Sequence, residues 1–221
     1  MNKIDIYKSM DISLEEDSLL VISSSDITVN VIVNKDSNLY IKNDNLRGIC
    51  NINITLNSSC NIKRYVDNDC VNEHITFNIL KDNVNFKYKA FGYIREDNTI
   101  TCDIKHHNKN IISQINYDLV NLNSKLSLKI NSYALDDVDN VISDQISNVI
   151  NIGTPTSIIY PNLFINRDNV AVNHTSYIGI IDKNSTFYLT SKGYDVKEAK
   201  NLLIDGFLNK GLSPLDIEIL K

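Results

Sequence analysis

The side chains able to do chemistry are few. Four cysteines stand at positions 50, 60, 70 and 102, and three of the four histidines, His106, His107 and His174, are the other candidates for metal binding or proton transfer. A thiol becomes a sulfur acceptor or metal ligand only as the thiolate, which needs a neighbouring cation or imidazole. No such neighbour flanks Cys50, Cys60, Cys70 or Cys102, and none forms a Cys-x-x-Cys pair. They are therefore read as free thiols packed as small buried hydrophobes. The ten-residue spacing of Cys50, Cys60 and Cys70 hints at a shared position on successive turns of a repeating structure. His106 and His107 are adjacent, so on a strand they face opposite ways and cannot easily share one metal; a polar coil edge is the plainer reading. An imidazole at 174 suits metal ligation or proton movement near neutral pH. By residue type alone it is a polar residue closing a strand before Thr175-Ser176. No closely spaced carboxylate pair or Ser/His/Asp triad stands out, and no Gly-x-x-x-x-Gly-Lys phosphate loop is present.

The elements that would position these groups are mostly strands. From about residue 17 to 180 the dominant period is two. Ile27–Val33, Ile52–Leu56, Val84–Tyr88 and Leu126–Ile130 alternate apolar with polar residues, and Asn, Asp and Ser clusters separate such runs. Many short strands with polar turns mean an all-β body. A sandwich, a barrel and a solenoid all satisfy that pattern. Two features favour a solenoid: no clear Asn-Gly or Asp-Gly hairpin turn appears, and the strands are rich in Asn. Asparagine tolerates left-handed corners and stacks in ladders between coils.

The texture changes after residue 181. Asp182 or Ser185 starts a short helix, with Gly193 as its ending residue. Asp195 and Glu198 form a capping box before Val196, Ala199, Leu202, Leu203, Ile204 and Phe207 at helical spacing. Ser213-Pro214 starts another helix. The expected organisation is a β-body over 1–181 and a C-terminal helical domain over 182–221.

Composition excludes several classes. The chain has 221 residues, 43% of them hydrophobic and 22% charged, with a net charge of −5. It is long enough to bury a core without disulfides or metals. Without clustered Lys or Arg, neither nucleic acid nor an anionic membrane is an expected partner. Met1–Lys8 lacks the apolar stretch of a signal peptide, and the longest apolar runs, such as Leu19–Ile22, are too short to span a bilayer. The expectation is a cytoplasmic protein.

The last third carries a family pattern. Ile152-Gly153 is followed by Pro161-Asn162-Leu163-Phe164-Ile165, Asp168, Val170, His174 and Gly179, then by Phe187-Tyr188-Leu189-Thr190-Ser191-Lys192-Gly193, then by Glu198-Ala199-Lys200-Asn201-Leu202-Leu203-Ile204-Asp205-Gly206-Phe207. In order and spacing these resemble the SufB/SufD family of iron–sulfur cluster assembly scaffolds. The His106-His107, Ser113 and Tyr117 segment is similar to an upstream coil of that family, so the resemblance covers 104–211.

This resemblance implies a right-handed parallel β-helix with a small helical domain. It further implies a non-enzymatic scaffold that pairs with a SufB-like subunit and docks a SufC-type ABC ATPase, which would supply any ATP hydrolysis. Pairing as a homodimer is left open. His174 falls on the position of the functional histidine at the pairing interface, as a cofactor-binding and metal-ligating residue. No cofactor is implied to be held stably, only a transient iron–sulfur cluster at that interface. Docking of the ATPase is implied at Glu198, Ala199, Leu202, Leu203, Gly206 and Phe207; packing of the same helix onto the end of the solenoid is the alternative. The chain departs from SufB in lacking a cysteine near Asp144–Asn148 and in flanking His174 with Asn173 and Thr175. Both departures are similar to the SufD branch. A β-solenoid enzyme acting on polysaccharide and a self-assembling structural solenoid are the rival readings.

Overall fold

The computed structural model describes residues 1–43, 48–68, 72–134 and 138–221. Fifteen strands and three helices follow one another in these residues. The strands are β1 (Asn2–Ile6), β2 (Met10–Leu14), β3 (Ser18–Ile22), β4 (Ile27–Val33), β5 (Ser37–Asn43), β6 (Ile49–Leu56), β7 (Cys60–Asn68), β8 (Asn72–Ile79), β9 (Asn85–Ile94), β10 (Asn98–His106), β11 (Lys109–Leu122), β12 (Lys125–Ala134), β13 (Asp139–Ile152), β14 (Thr156–Ile165) and β15 (Val170–Gly179). The helices are α1 (Lys183–Ser191), α2 (Val196–Leu208) and α3 (Pro214–Leu220).

Odd-numbered strands form one sheet and even-numbered strands the other, each in sequence order. Every pairing is parallel, from β1 with β3 through β13 with β15 and from β2 with β4 through β12 with β14. This topology requires a coil that lays one strand in each sheet per turn. The fold is a parallel β-solenoid, as expected.

Alternation decides which side chains line the interior. Because the register is parallel, inward residues stack into columns along the solenoid. One column in the even sheet runs Ile12, Val31, Ile54, Phe77, Ile104, Ser132. Each fully buried large aliphatic side chain contributes about 1.5–3 kcal/mol, so the columns supply most of the driving force. At the corners Asn83, Asn110 and Asn140 take left-handed backbone, with φ of 61°, 55° and 51°. Their side chains form a ladder: Asn110 Nδ2 donates to Asn83 Oδ1 at 3.1 Å, and Asn140 Nδ2 to Asn110 Oδ1 at 2.8 Å. One glycine is sterically obligatory. A Cβ on Gly92, at φ +142°, would lie 1.8 Å from the carbonyl oxygen of Val66.

The helices begin and end where their caps are. Asp182 caps α1 by accepting from the backbone N–H groups of Asn184 and Ser185, and Gly193 follows its end at φ +100°. Asp195 and Glu198 form the capping box of α2, and Ser213 and Asp216 that of α3. The helices do not close the end of the solenoid. They lie along its flank, where Ile204, Leu208 and Leu220 pack on outward residues of the odd sheet, including Leu19, Val21, Tyr40, Phe91 and Val120. This explains the continuous apolar run in β3. Leu20 and Ile22 face the core while Leu19 and Val21 face this second cluster. Among the described residues no helix is long and apolar enough to cross a membrane.

A single carboxylate fastens α3 to the solenoid. Asp216 Oδ1 accepts from Lys63 Nζ at 2.7 Å and Tyr40 Oη at 3.0 Å, while Oδ2 accepts from the Ser213 N–H at 2.8 Å. Burial alone would raise its pKa, but the bonds from Lys63, Ser213 and Tyr40 outweigh that and hold it below the usual value. The stabilisation is therefore complete above the unfolded carboxylate pKa of about 3.9 and lost as pH falls through the lower folded value. Asp216→Asn is expected to cost about 2–4 kcal/mol in urea unfolding at neutral pH. The variant should also lose this part of the acid dependence.

Candidate functional site

His174 lies inside the solenoid's stacking pattern, not at the end of a strand. β15 runs through Thr175 and Ser176 to Gly179 without a turn. Register places His174 on an inward column of the odd sheet: Leu39, Ile62, Tyr88, Ile115, Gln145, His174. The first five are each 1% exposed. His174 is exposed because β15 is the last strand of its sheet and no strand among the described residues stacks on it. Asn173, its outward neighbour, donates to Asp144 Oδ1 at 3.0 Å.

The two ends of the solenoid are built differently. At the N-terminal end β1 and β2 have five residues each, and β1 carries a Lys3–Asp5 ion pair at 3.0 Å. Short, charged edges resist further pairing. At the other end β14 and β15 have ten residues each. That end exposes Ile158, Tyr160, Phe164, Ile165, Tyr177 and Ile178. Its backbone edges and apolar side chains are available to a partner.

The interior turns polar as it approaches this end. Ser132, Ser143, Gln145 and Ser147 are all buried. His106 is buried with them, which corrects its reading as a coil-edge residue; His107, just beyond the strand, is exposed. His106 Nδ1 lies 2.9 Å from the Tyr133 carbonyl oxygen, which can only accept, so the ring proton sits on Nδ1. Its Nε2 pairs with the Ser113 hydroxyl at 2.8 Å; Ser113 meets Ser143 at 2.9 Å, and Ser143 meets Ser132 at 2.9 Å. Burial pushes the His106 pKa down to about 4, with the Tyr133 bond opposing and His107 assisting.

Among the described residues the cysteines do not gather into a site. Cys50, Cys60 and Cys102 are buried free thiols. Burial raises Cys60 to about 12 and raises Cys102 as well. Cys50 and Cys60 lie on β6 and β7, in opposite sheets, so the ten-residue spacing marks no shared position. Cys70 lies outside the described residues. A buried ion pair went unnoticed in the sequence: Arg64 Nη2 donates to Glu73 Oε2 at 2.5 Å in the solenoid interior. Parity could have found it, since Arg64 shares the inward phase of Cys60, Ile62 and Val66. The small side chain of Ala90, beside Arg64 in the register, leaves room for the guanidinium. Among the described residues no three His, Cys, Asp or Glu side chains form a metal-holding group.

The six positions singled out on α2 divide between two faces. Ala199 is buried, and Phe207 packs partly against the apolar cluster on the sheet. Leu203 is half-buried. Glu198, Leu202 and Gly206 are exposed and, four residues apart, form one line along the helix. Beside them α1, which packs on α2, exposes Phe187 at 74% and Tyr188 at 59%. These two aromatics stand in the recognised sequence pattern but were not read as contact residues. A groove beside the α2–α3 connection is lined by Lys63, Lys87, Lys89, Gln114, Asn116 and Asp144. Two of its lysines are already paired, Lys63 with Asp216 and Lys89 with Asp118.

Comparison with known proteins matches residues 73–207 to the family model for the SUF-system iron–sulfur cluster assembly SufBD core domain. The chain belongs to the SufB/SufD family. The match begins at β8 and ends within α2, so it takes in the open end, His174 and the exposed line on α2. A relative of the same family, the iron–sulfur cluster assembly protein SufD of Bacillus subtilis (strain 168), is 38% identical over 61 residues. That stretch is 28% of this chain and 14% of the relative.

The lowered pKa of His106 makes this SufB/SufD-family solenoid sensitive to pH. Between about 4 and 6.5 the unfolded chain binds a proton that the folded chain refuses, so stability falls as pH falls through that window. The difference between 6.5 and about 4 corresponds to roughly 3 kcal/mol at most. Urea midpoints at pH 7 and pH 4.5 should differ accordingly, and His106→Asn should flatten the dependence.

Proposed function

We propose that this protein is a SufD-like scaffold subunit of a SUF iron–sulfur cluster assembly complex, working in the cytoplasm without catalytic chemistry of its own. The carrying observation is His174, the last member of an inward column at an uncovered, apolar, ten-residue edge. Such an edge is suited to pairing with a second scaffold of the same architecture, because paired strands satisfy the open backbone groups and bury the apolar rim. A SufB-type subunit is the proposed partner. Covered by it, His174 would offer an imidazole nitrogen to iron or a proton to a nascent cluster, which is cargo assembled at the interface and passed on. With one histidine here, the remaining ligands would come from the partner.

Family membership and the exposed helical surface support docking of a SufC-type ATPase. Phe187, Tyr188 and Leu202 are exposed apolar residues of the helical unit, while α2 and α3 hold it against the solenoid. Closure of bound ATPase subunits would then be transmitted through the flank contacts to the solenoid. The SufD branch is supported by the absence of a cysteine between Asp144 and Asn148.

Co-expression with SufB- and SufC-type proteins of one organism tests this reading. The tagged chain is expected to retain both. Leu202→Asp combined with Phe187→Asp should release the ATPase and leave the SufB-type subunit bound. Ile178→Asp should do the reverse. In the intact complex His174→Ala should reduce cluster assembly at least tenfold without loss of either partner. Retention of neither protein, or a chain that forms only homodimers, would overturn the proposal.

A further inference from the structure

Gln145 is the inward residue directly beneath His174. It is 1% exposed, and Nε2 faces the backbone carbonyl of Asn162 at 3.4 Å. A carbonyl can only accept, so this contact fixes which end of the amide carries nitrogen. Oε1 is left buried, with no hydrogen-bond partner among the described residues. Leaving such an acceptor unmet costs about 1–3 kcal/mol.

The register limits what can meet it. On one side its column neighbour is Ile115, which has nothing to donate. Of its inward neighbours on the same strand, Ser143 is occupied by Ser113 and Ser132, and Ser147 makes no hydrogen bond to Oε1. On the open side the column neighbour is His174, on a strand about 4.8 Å away. Its exposed ring can rotate about two side-chain bonds at little cost, and in its neutral form it has one N–H to give.

We infer that Gln145 is a positioning residue for His174: Oε1 accepts the imidazole N–H, fixes the tautomer and turns the other ring nitrogen toward the open end. The inference rests on the proposed role of His174, since a fixed tautomer matters only where the second nitrogen meets a cluster or a proton. Outer partners of this kind commonly orient histidine ligands. The polar interior around Gln145 then has a purpose that an all-aliphatic core would not serve.

The test is two-bond ¹⁵N–¹H correlation of His174 in the full chain at pH 8 for wild type, Gln145→Met and Gln145→Glu. Wild type should show one tautomer in large excess. Gln145→Met, similar in volume but without an acceptor, should relax to the mixture of a free imidazole, and Gln145→Glu should restore the single form. In the assembled complex, Gln145→Met should slow cluster assembly several-fold while partner retention is unchanged. A free-imidazole mixture in wild type overturns the inference even if neither variant folds. So does a single tautomer that survives in folded Gln145→Met. A fixed tautomer alongside an inert His174→Ala would instead sustain the positioning contact and remove the assembly role, so the two failures are distinguishable.

Discussion

A solenoid turn is stable only when another turn stacks on it. From β3 onward each strand pairs in parallel with the strand one turn earlier, and that register carries each inward side chain onto the one below. The constraint acts on the whole chain. It demands unbroken alternation, left-handed corners that asparagine can supply, and a glycine at 92 where β9 meets β7. It also guarantees a last turn whose inward row has nothing above it. Tyr88, Ile115 and Gln145 are buried by their successors, whereas His174, in the same column, is not. The candidate site follows from the termination of the stack.

The interior records the approach to that end. In the early turns the columns are aliphatic, as in Ile12, Val31 and Ile54. In the later ones serines, His106 and Gln145 replace them, and most are hydrogen-bonded to one another. Hydrophobic burial alone would favour aliphatic residues here too. Polar groups in a core restrict alternative packings, because each must find a partner or bear the cost of desolvation. The ion pair of Arg64 and Glu73 is a separate case, far from the open end in the stacking order, and pairs of this kind add little net stability.

The helical unit obeys a different constraint. Its helices have modest apolar faces and dock on a sheet surface that alternation would otherwise leave polar. Leu19, Val21, Phe91 and Val120 break the alternation to receive Ile204, Leu208 and Leu220. This leaves Phe187 and Tyr188 of α1, Val196 and Leu202 of α2 and Leu215 of α3 exposed outside the contact. The surface open to a second protein is thus what remains after the flank has been covered. It includes Phe187 and Tyr188 and excludes most of Phe207.

Local chemistry was legible in the sequence because it depends on neighbours within a few residues. The strand period, the caps at Asp182, Asp195 and Ser213, the ending glycine at 193 and the burial of cysteines 60 and 102 all followed from such rules. The family pattern in the last third located His174 and α2. What the sequence left open depends on which residues meet across a turn of more than twenty residues. Cys50 and Cys60 fall in opposite sheets, and His106 falls inward. The helices choose the flank over the end, and Gln145 comes to lie under His174. Period two assigns each residue to one of two faces. Only the stacked register decides which face is the core and what lies one turn away.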